Sequence, residues 1–130
     1  MLIGGCYCEA IRYETSADPV HPTLCHCVDC RRTAGAPAVA WFTVSQASFR
    51  LTAGSPTVFQ SSPGATRTFC PACGTALTFA SEAMPDAIDV TICSLDDPAK
   101  VAPRDHTFAR SSLPWFTPRD GLPVFATTRT

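Results

Sequence analysis

Seven of the eight cysteines in this chain fall into three tight clusters: Cys6-Tyr7-Cys8, Cys25-His26-Cys27-Val28-Asp29-Cys30 and Cys70-Pro71-Ala72-Cys73-Gly74. Thiolates that bind one tetrahedral ion must converge at about 2.3 Å from it. Cysteines one or two residues apart can do this from a single tight turn. The two pairs together supply a complete four-thiolate set, and the triple leaves a set one ligand short. Zinc in a structural site is closed by four protein ligands, whereas a catalytic site keeps a position open. The arithmetic predicts two zinc ions per chain, one holding the fold and one available for chemistry.

Cys70-Pro71-Ala72-Cys73-Gly74 has the form of a zinc knuckle. Proline presets φ for the turn, and Gly74 permits the positive φ that aims backbone N–H groups at sulfur. A disulfide framework is the competing reading, since eight is an even number and small secreted domains are often stapled this way. Against it, the chain opens Met1-Leu2-Ile3-Gly4-Gly5 without a basic stretch or an apolar export core, so a cytoplasmic, reducing setting is expected. Pairing Cys6 and Cys8 with Cys70 and Cys73 is the usual way to build a four-cysteine site from two loops. The alternative joins Cys25, Cys27 and Cys30 with His26 or with one member of another pair.

A zinc on three thiolates carries one net negative charge and can take water, hydroxide or an incoming thiolate at its fourth position. There it acts as a Lewis acid or a thiol activator, because a metal-bound thiol is deprotonated outright. This favours a thiol substrate over a peptide or a phosphate. The bland alternative has His26, Asp29 or His106 closing the second site, which would then be purely structural.

Such ligands need a scaffold to hold them. The length of 130 residues fits one domain spanning 1–130, long enough for a core and short enough to gain from a metal staple. Net charge is −1, which leaves no global basic field for nucleic acid. No apolar run approaches the ~20 residues of a membrane span. Twelve prolines and seven glycines are spread along the chain and break it into short segments. Short β-type runs recur at Ala10–Glu14, Ala38–Val44, Ser48–Leu51, Thr57–Gln60, Arg67–Phe69, Ala76–Phe79 and Ile88–Ile92. One helical turn is expected through Arg31–Ala34, stopping at Gly35. The tail from Ala102 carries four prolines and reads as loop, yet its His106, Phe108, Trp115, Phe116, Leu122 and Phe125 predict that it packs across a sheet.

In order along the chain, Gly4-Gly5-Cys6-Tyr7-Cys8, Cys25-His26-Cys27-Val28-Asp29-Cys30-Arg31, Gly35-Ala36-Pro37 and Arg67-Thr68-Phe69-Cys70-Pro71-Ala72-Cys73-Gly74 form a pattern. Ser94-Leu95-Asp96-Asp97-Pro98, Pro103 with His106, Trp115, and Asp120-Gly121-Leu122-Pro123 continue it. The whole resembles the glutathione-dependent formaldehyde-activating enzyme family, also called the centromere-protein-V/formaldehyde-activating domain. The resemblance implies a mainly β, Mss4-like zinc-stabilised small β-sheet fold with short helical turns. It implies a structural zinc on Cys6, Cys8, Cys70 and Cys73 and a catalytic zinc on Cys25, Cys27 and Cys30. It also implies a carbon–sulfur lyase that adds a thiol such as glutathione to formaldehyde or a related small electrophile. Two positions depart from the pattern. Glu9 follows the second cysteine where the family usually has glycine, predicting a looser first knuckle. Cys93 precedes Ser94-Leu95-Asp96-Asp97 where a small residue is common, and it reads as a buried free thiol, or else as a fourth ligand or redox partner.

Other residues carry paired readings. Arg67 balances thiolate charge or meets a substrate carboxylate, and Arg31 and Arg32 are local partners of a thiolate-rich site. His106 is structural, or a general base or ligand. Trp41 and Trp115 are core or pocket wall. Asp96 and Asp97 form a turn before Pro98, with one anchoring the sheet. The competing functional class is a non-catalytic zinc-stabilised binding or scaffold module, since fold does not decide function. The expected partners are a small-molecule thiol and its electrophile, with no nucleic acid and no membrane; oligomeric state is not encoded in any motif.

Overall fold

The computed structural model describes residues 1–129, and the expected mainly β class holds. The strands are β1 (Leu2–Gly5), β2 (Arg12–Thr15), β3 (Val20–Cys25), β4 (Val39–Ser45), β5 (Phe49–Ala53), β6 (Thr57–Ser62), β7 (Ala65–Phe69), β8 (Ala76–Ser81), β9 (Ala87–Thr91) and β10 (Asp105–Thr107). A single α-helix among the described residues, α1 (Val28–Ala34), follows β3. Three strands form a small sheet in the order β1-β2-β5, and seven form a larger one in the order β10-β3-β4-β9-β8-β7-β6. All neighbours are antiparallel except β10, which runs parallel to β3.

The alternation of β4 explains how the large sheet serves two purposes. Successive side chains on a strand point to opposite faces. Ala40, Phe42 and Val44 face the main core, where they meet Ile11 just before β2, Tyr13 of β2, Leu77 of β8 and Val90 of β9. Phe42 and Val90 are wholly buried, and each contributes about 1.5–3 kcal/mol relative to an exposed position. Val39 and Trp41 face the other way, into a second apolar cluster with Cys25, Cys30, Phe79 and Phe108. The Trp41 face thus carries Cys25 and Cys30, whereas Cys6 and Cys70 belong to the main core.

Three strands lie outside the expected runs: β1, β3 and β10. In β1 the glycines are needed for close approach, because a Cβ at Gly4 would lie 2.5 Å from the Ser94 carbonyl oxygen and one at Gly5 2.2 Å from that of Ile11. The helix begins one turn earlier than Arg31, because Cys27 caps it, its Sγ accepting from the Cys30 N–H at 3.2 Å. It ends at Gly35 in the left-handed region as expected, with the Gly35 N–H bonded to the Arg31 carbonyl. Asp96 anchors the small sheet, its carboxylate accepting from both terminal nitrogens of Arg12. The tail does pack: His106 N–H donates to the Pro123 carbonyl at 2.9 Å and Phe125 N–H to the His106 carbonyl at 2.8 Å, extending the large sheet beyond β10.

Candidate metal centre

Two loops bring Cys6, Cys8, Cys70 and Cys73 together, with all four sulfurs within 4.8 Å of one another. The first loop joins β1 to β2 and the second joins β7 to β8. A tetrahedron with bonds of about 2.3 Å has edges of about 3.8 Å. The Cys6–Cys8 and Cys8–Cys70 sulfur separations are 3.6 and 3.7 Å, so the residues fit a single tetrahedral ion. Backbone N–H groups already point at the sulfurs: Ile11 to Cys6 at 3.3 Å, and Ala72 and Cys73 to Cys70 at 3.4 Å. Gly74 has φ +81°, as the knuckle requires. Glu9 takes φ +66° and closes the first turn through a bond from its N–H to the Cys6 carbonyl. The loosening expected at Glu9 is therefore not seen; the turn forms with a non-glycine residue held left-handed, at about 1–2 kcal/mol. The Cys73 thiol is drawn down to about 5, first by the Thr75 hydroxyl.

Cys25, Cys27 and Cys30 form the second set, again with sulfurs within 4.8 Å of one another. Cys25 ends β3, Cys27 caps α1 and Cys30 lies in its first turn, so a strand-to-helix corner supplies all three. Cys27 is the natural thiolate of the trio. Hydrogen bonds from Cys25 and then Cys30 pull it down to about 2, helped by the Cys30 N–H and the charge of Arg67. Cys25 is pushed far up by the same sharing with Cys27 and Cys30 and by burial. Arg67 is the cation that reaches the trio, with Nη2 at 3.8 Å from the Cys30 sulfur and Nη1 at 3.2 Å from the Thr33 hydroxyl. Its guanidinium stacks over Phe79 and Trp41 at 5.0 and 5.8 Å from the ring centroids. Arg31 and Arg32 sit instead in the last turn of α1, by its carbonyl end.

No histidine or carboxylate joins the trio among the described residues, so none of His26, Asp29 and His106 closes it. His26 points away from the sulfurs, and its Nε2 bonds to His106 Nδ1 at 2.9 Å. Burial, then the charge of His106, holds the His26 imidazole below the ordinary range. The three cysteines instead line a cavity of about 450 Å³ together with Trp41, Phe79, Arg67 and Asp89. Asp89 is a residue that motif reading missed. It faces Thr43 across the β4–β9 ladder, and its carboxyl accepts from the Thr43 hydroxyl. Burial pushes that carboxyl up, with Thr43 opposing. A sequence-level signal existed: an acid inside an otherwise apolar strand pattern, Ile88-Asp89-Val90.

Two expectations are corrected here. Cys93 is exposed, not buried, because the 3-10 turn Ile92–Ser94 after β9 carries it to the rim of a separate cavity that Cys73 also lines. It joins neither cysteine set. Trp115 is 72% exposed, touching Phe116 edge-on instead of walling a pocket, because the proline-broken tail segment that carries it lies on the surface. All eight cysteines are free, with no disulfide. No helix among the described residues is long and apolar enough to cross a membrane.

Comparison with known proteins bears on this geometry. The sequence model of a family described as glutathione-dependent formaldehyde-activating enzyme matches residues 1–111. A crystal structure of a Rhodobacter sphaeroides protein has the same fold, with a TM-score of 0.63 at 21% identity, covering 95% of this chain and 98% of that one. The search of curated proteins gave no match.

Proposed function

The chain belongs to the glutathione-dependent formaldehyde-activating enzyme family, and from that premise we propose that it is a zinc-dependent enzyme of carbon–sulfur bond chemistry. It adds a thiol such as glutathione to formaldehyde or a related small aldehyde. The observation that carries this reading is the three-cysteine set on the wall of the 450 Å³ cavity, with no fourth protein ligand among the described residues. The four-cysteine set, its sulfur spacings matching the edges of a tetrahedron, supports a second, structural zinc.

Zinc bound by Cys25, Cys27 and Cys30 would supply Lewis acidity and lower the pKa of an incoming thiol. The chain's own groups do the rest. Trp41 and Phe79 exclude water from the sheet side of the cavity. Arg67, held by stacking on both rings, places a fixed positive charge beside the thiolates. Confining both reactants there removes much of the entropic cost of a bimolecular encounter. In the net reaction the thiol sulfur bonds to the carbonyl carbon, the carbon–oxygen π pair passes to oxygen, and the thiol proton ends on that oxygen. No oxidant or reductant is consumed.

The test is exchange NMR of ¹³C-formaldehyde with glutathione, comparing wild-type protein with Cys27→Ser. Acceleration by the wild type, lost in a Cys27→Ser variant that stays folded, supports the enzyme. No acceleration with any thiol and aldehyde pair sinks it and leaves the zinc-stabilised scaffold.

A further inference from the structure

The three-cysteine corner contains a histidine that the chemistry above does not use. His26 stands between Cys25 and Cys27 and is 2% exposed. Its flanking sulfurs line the large cavity, whereas its ring lies in a smaller one of about 120 Å³ beside His106 and Phe116. His26 Nε2 is 2.9 Å from His106 Nδ1, and His106 Nε2 is 2.8 Å from Asp120 Oδ2. A carboxylate can only accept, so His106 Nε2 carries the hydrogen. The His106 Nδ1–His26 Nε2 hydrogen bond carries the chain inward. His26 Nδ1 is buried without a partner among the described protein atoms.

The chain of bonds has a fixed outer end. Asp120 Oδ1 accepts the Leu122 N–H at 3.1 Å, and the backbone around Pro123 and Phe125 is bonded to His106. The inner end is fixed as well, since the His26 N–H donates to the Thr107 carbonyl at 3.0 Å. Two buried imidazoles cost desolvation that apolar rings of similar size would not. What they give in return is direction: each ring nitrogen specifies where its neighbour must lie.

We propose that Asp120, His106 and His26 form a positioning relay that sets the Cys25–Cys27 turn, so that the tail beyond residue 111 governs how tightly the three-cysteine set holds its ion. The flanking sulfurs can converge on one side only while the intervening ring is held on the other. Asp120 lies beyond residues 1–111, the stretch matched by the family model. None of the three residues lines the cavity that the three cysteines face, and the proposal is independent of the reaction.

Cobalt(II) titration of the full chain tests it, because thiolate charge-transfer and d–d bands report each site's geometry, and chelator competition gives each affinity. Asp120 is partly exposed, so its variants keep the fold, which a melting curve verifies. Asp120→Ala and His26→Phe are expected to weaken the less tightly held ion by about tenfold, the lower end for outer-sphere partners, and to shift its d–d bands. The tighter ion should keep its bands and affinity. Asp120→Asn, whose one carbonyl oxygen can keep the His106 bond but not also the Leu122 N–H bond, should recover most of the affinity that Asp120→Ala loses. The relay is overturned if Asp120→Ala and His26→Phe bind as wild type, if both ions weaken in parallel, or if Asp120→Asn is as impaired as Asp120→Ala. Wild-type protein that takes up only one ion overturns it too.

Discussion

Replacing one ligand in each cysteine set should produce very different losses of stability, and loop length sets the ratio. Cys8 and Cys70 are 62 residues apart, so an ion shared by them closes a long loop. The closure entropy of a 62-residue loop, (3/2)RT ln n, is about 3.7 kcal/mol. Cys25 and Cys30 span five residues, for which the same expression gives about 1.4 kcal/mol. At about 4 °C per kcal/mol for a chain of this size, Cys70→Ser should lower the melting temperature by about 15 °C and Cys27→Ser by about 6 °C. The larger figure is a substantial share of the roughly 5–15 kcal/mol that holds a typical domain folded. Differential scanning calorimetry at saturating zinc measures both, with native mass spectrometry recording ions per chain. In excess chelator the gap between Cys70→Ser and wild type should close. Equal depressions, or a larger one for Cys27→Ser, would refute the assignment of the four-cysteine set as the fold's staple.

Two further outcomes follow from the electrostatics. Because its neighbours pull Cys27 down to about 2 while Cys25 is pushed up, iodoacetamide at pH 6 should alkylate Cys27 well before Cys25 in protein freed of the weaker ion. Peptide mapping reads this, and equal labelling would contradict the order. The Arg12 guanidinium holds the Asp96 carboxyl below its ordinary value. A carboxyl lowered in the folded state adds stability above its unfolded pKa of about 3.9 and loses it as pH falls through the folded value. Asp96→Asn should therefore lower the urea midpoint at pH 6, and the two proteins should converge as pH falls through the folded value. A gap that stays constant with pH would rule the ion pair out.

The metal sets were legible because thiolate chemistry demands close spacing, and spacing is written in the sequence. Strands with a half-buried pattern, such as Val39–Ser45, were legible for the same kind of reason: the period of two shows which face is covered. β3 was hidden by Pro22 and by His21, which takes φ +50° at a register shift against β4. β10 has three residues and exists because β3 offers it a parallel partner far away in sequence. Asp89 and the His26–His106–Asp120 chain were hidden more deeply. His26 and His106 are 80 residues apart, and only the pairing of β10 with β3 brings them into contact. No local spacing rule reports a meeting made by sheet order.

An ion shared by the first and second knuckles would also dictate an order of events on the ribosome. Cys6 and Cys8 emerge early, whereas Cys70 lies 62 residues behind Cys8. At about 5–20 residues per second, synthesis leaves the first pair without its partners for about 3–12 s. During that interval β1 cannot be locked to the β7–β8 hairpin, and its thiols are open to oxidants and to competing metals. An ion that needs all four thiolates would therefore be captured only after the second pair has emerged, and tight buffering of free metal would keep the two early cysteines empty until then.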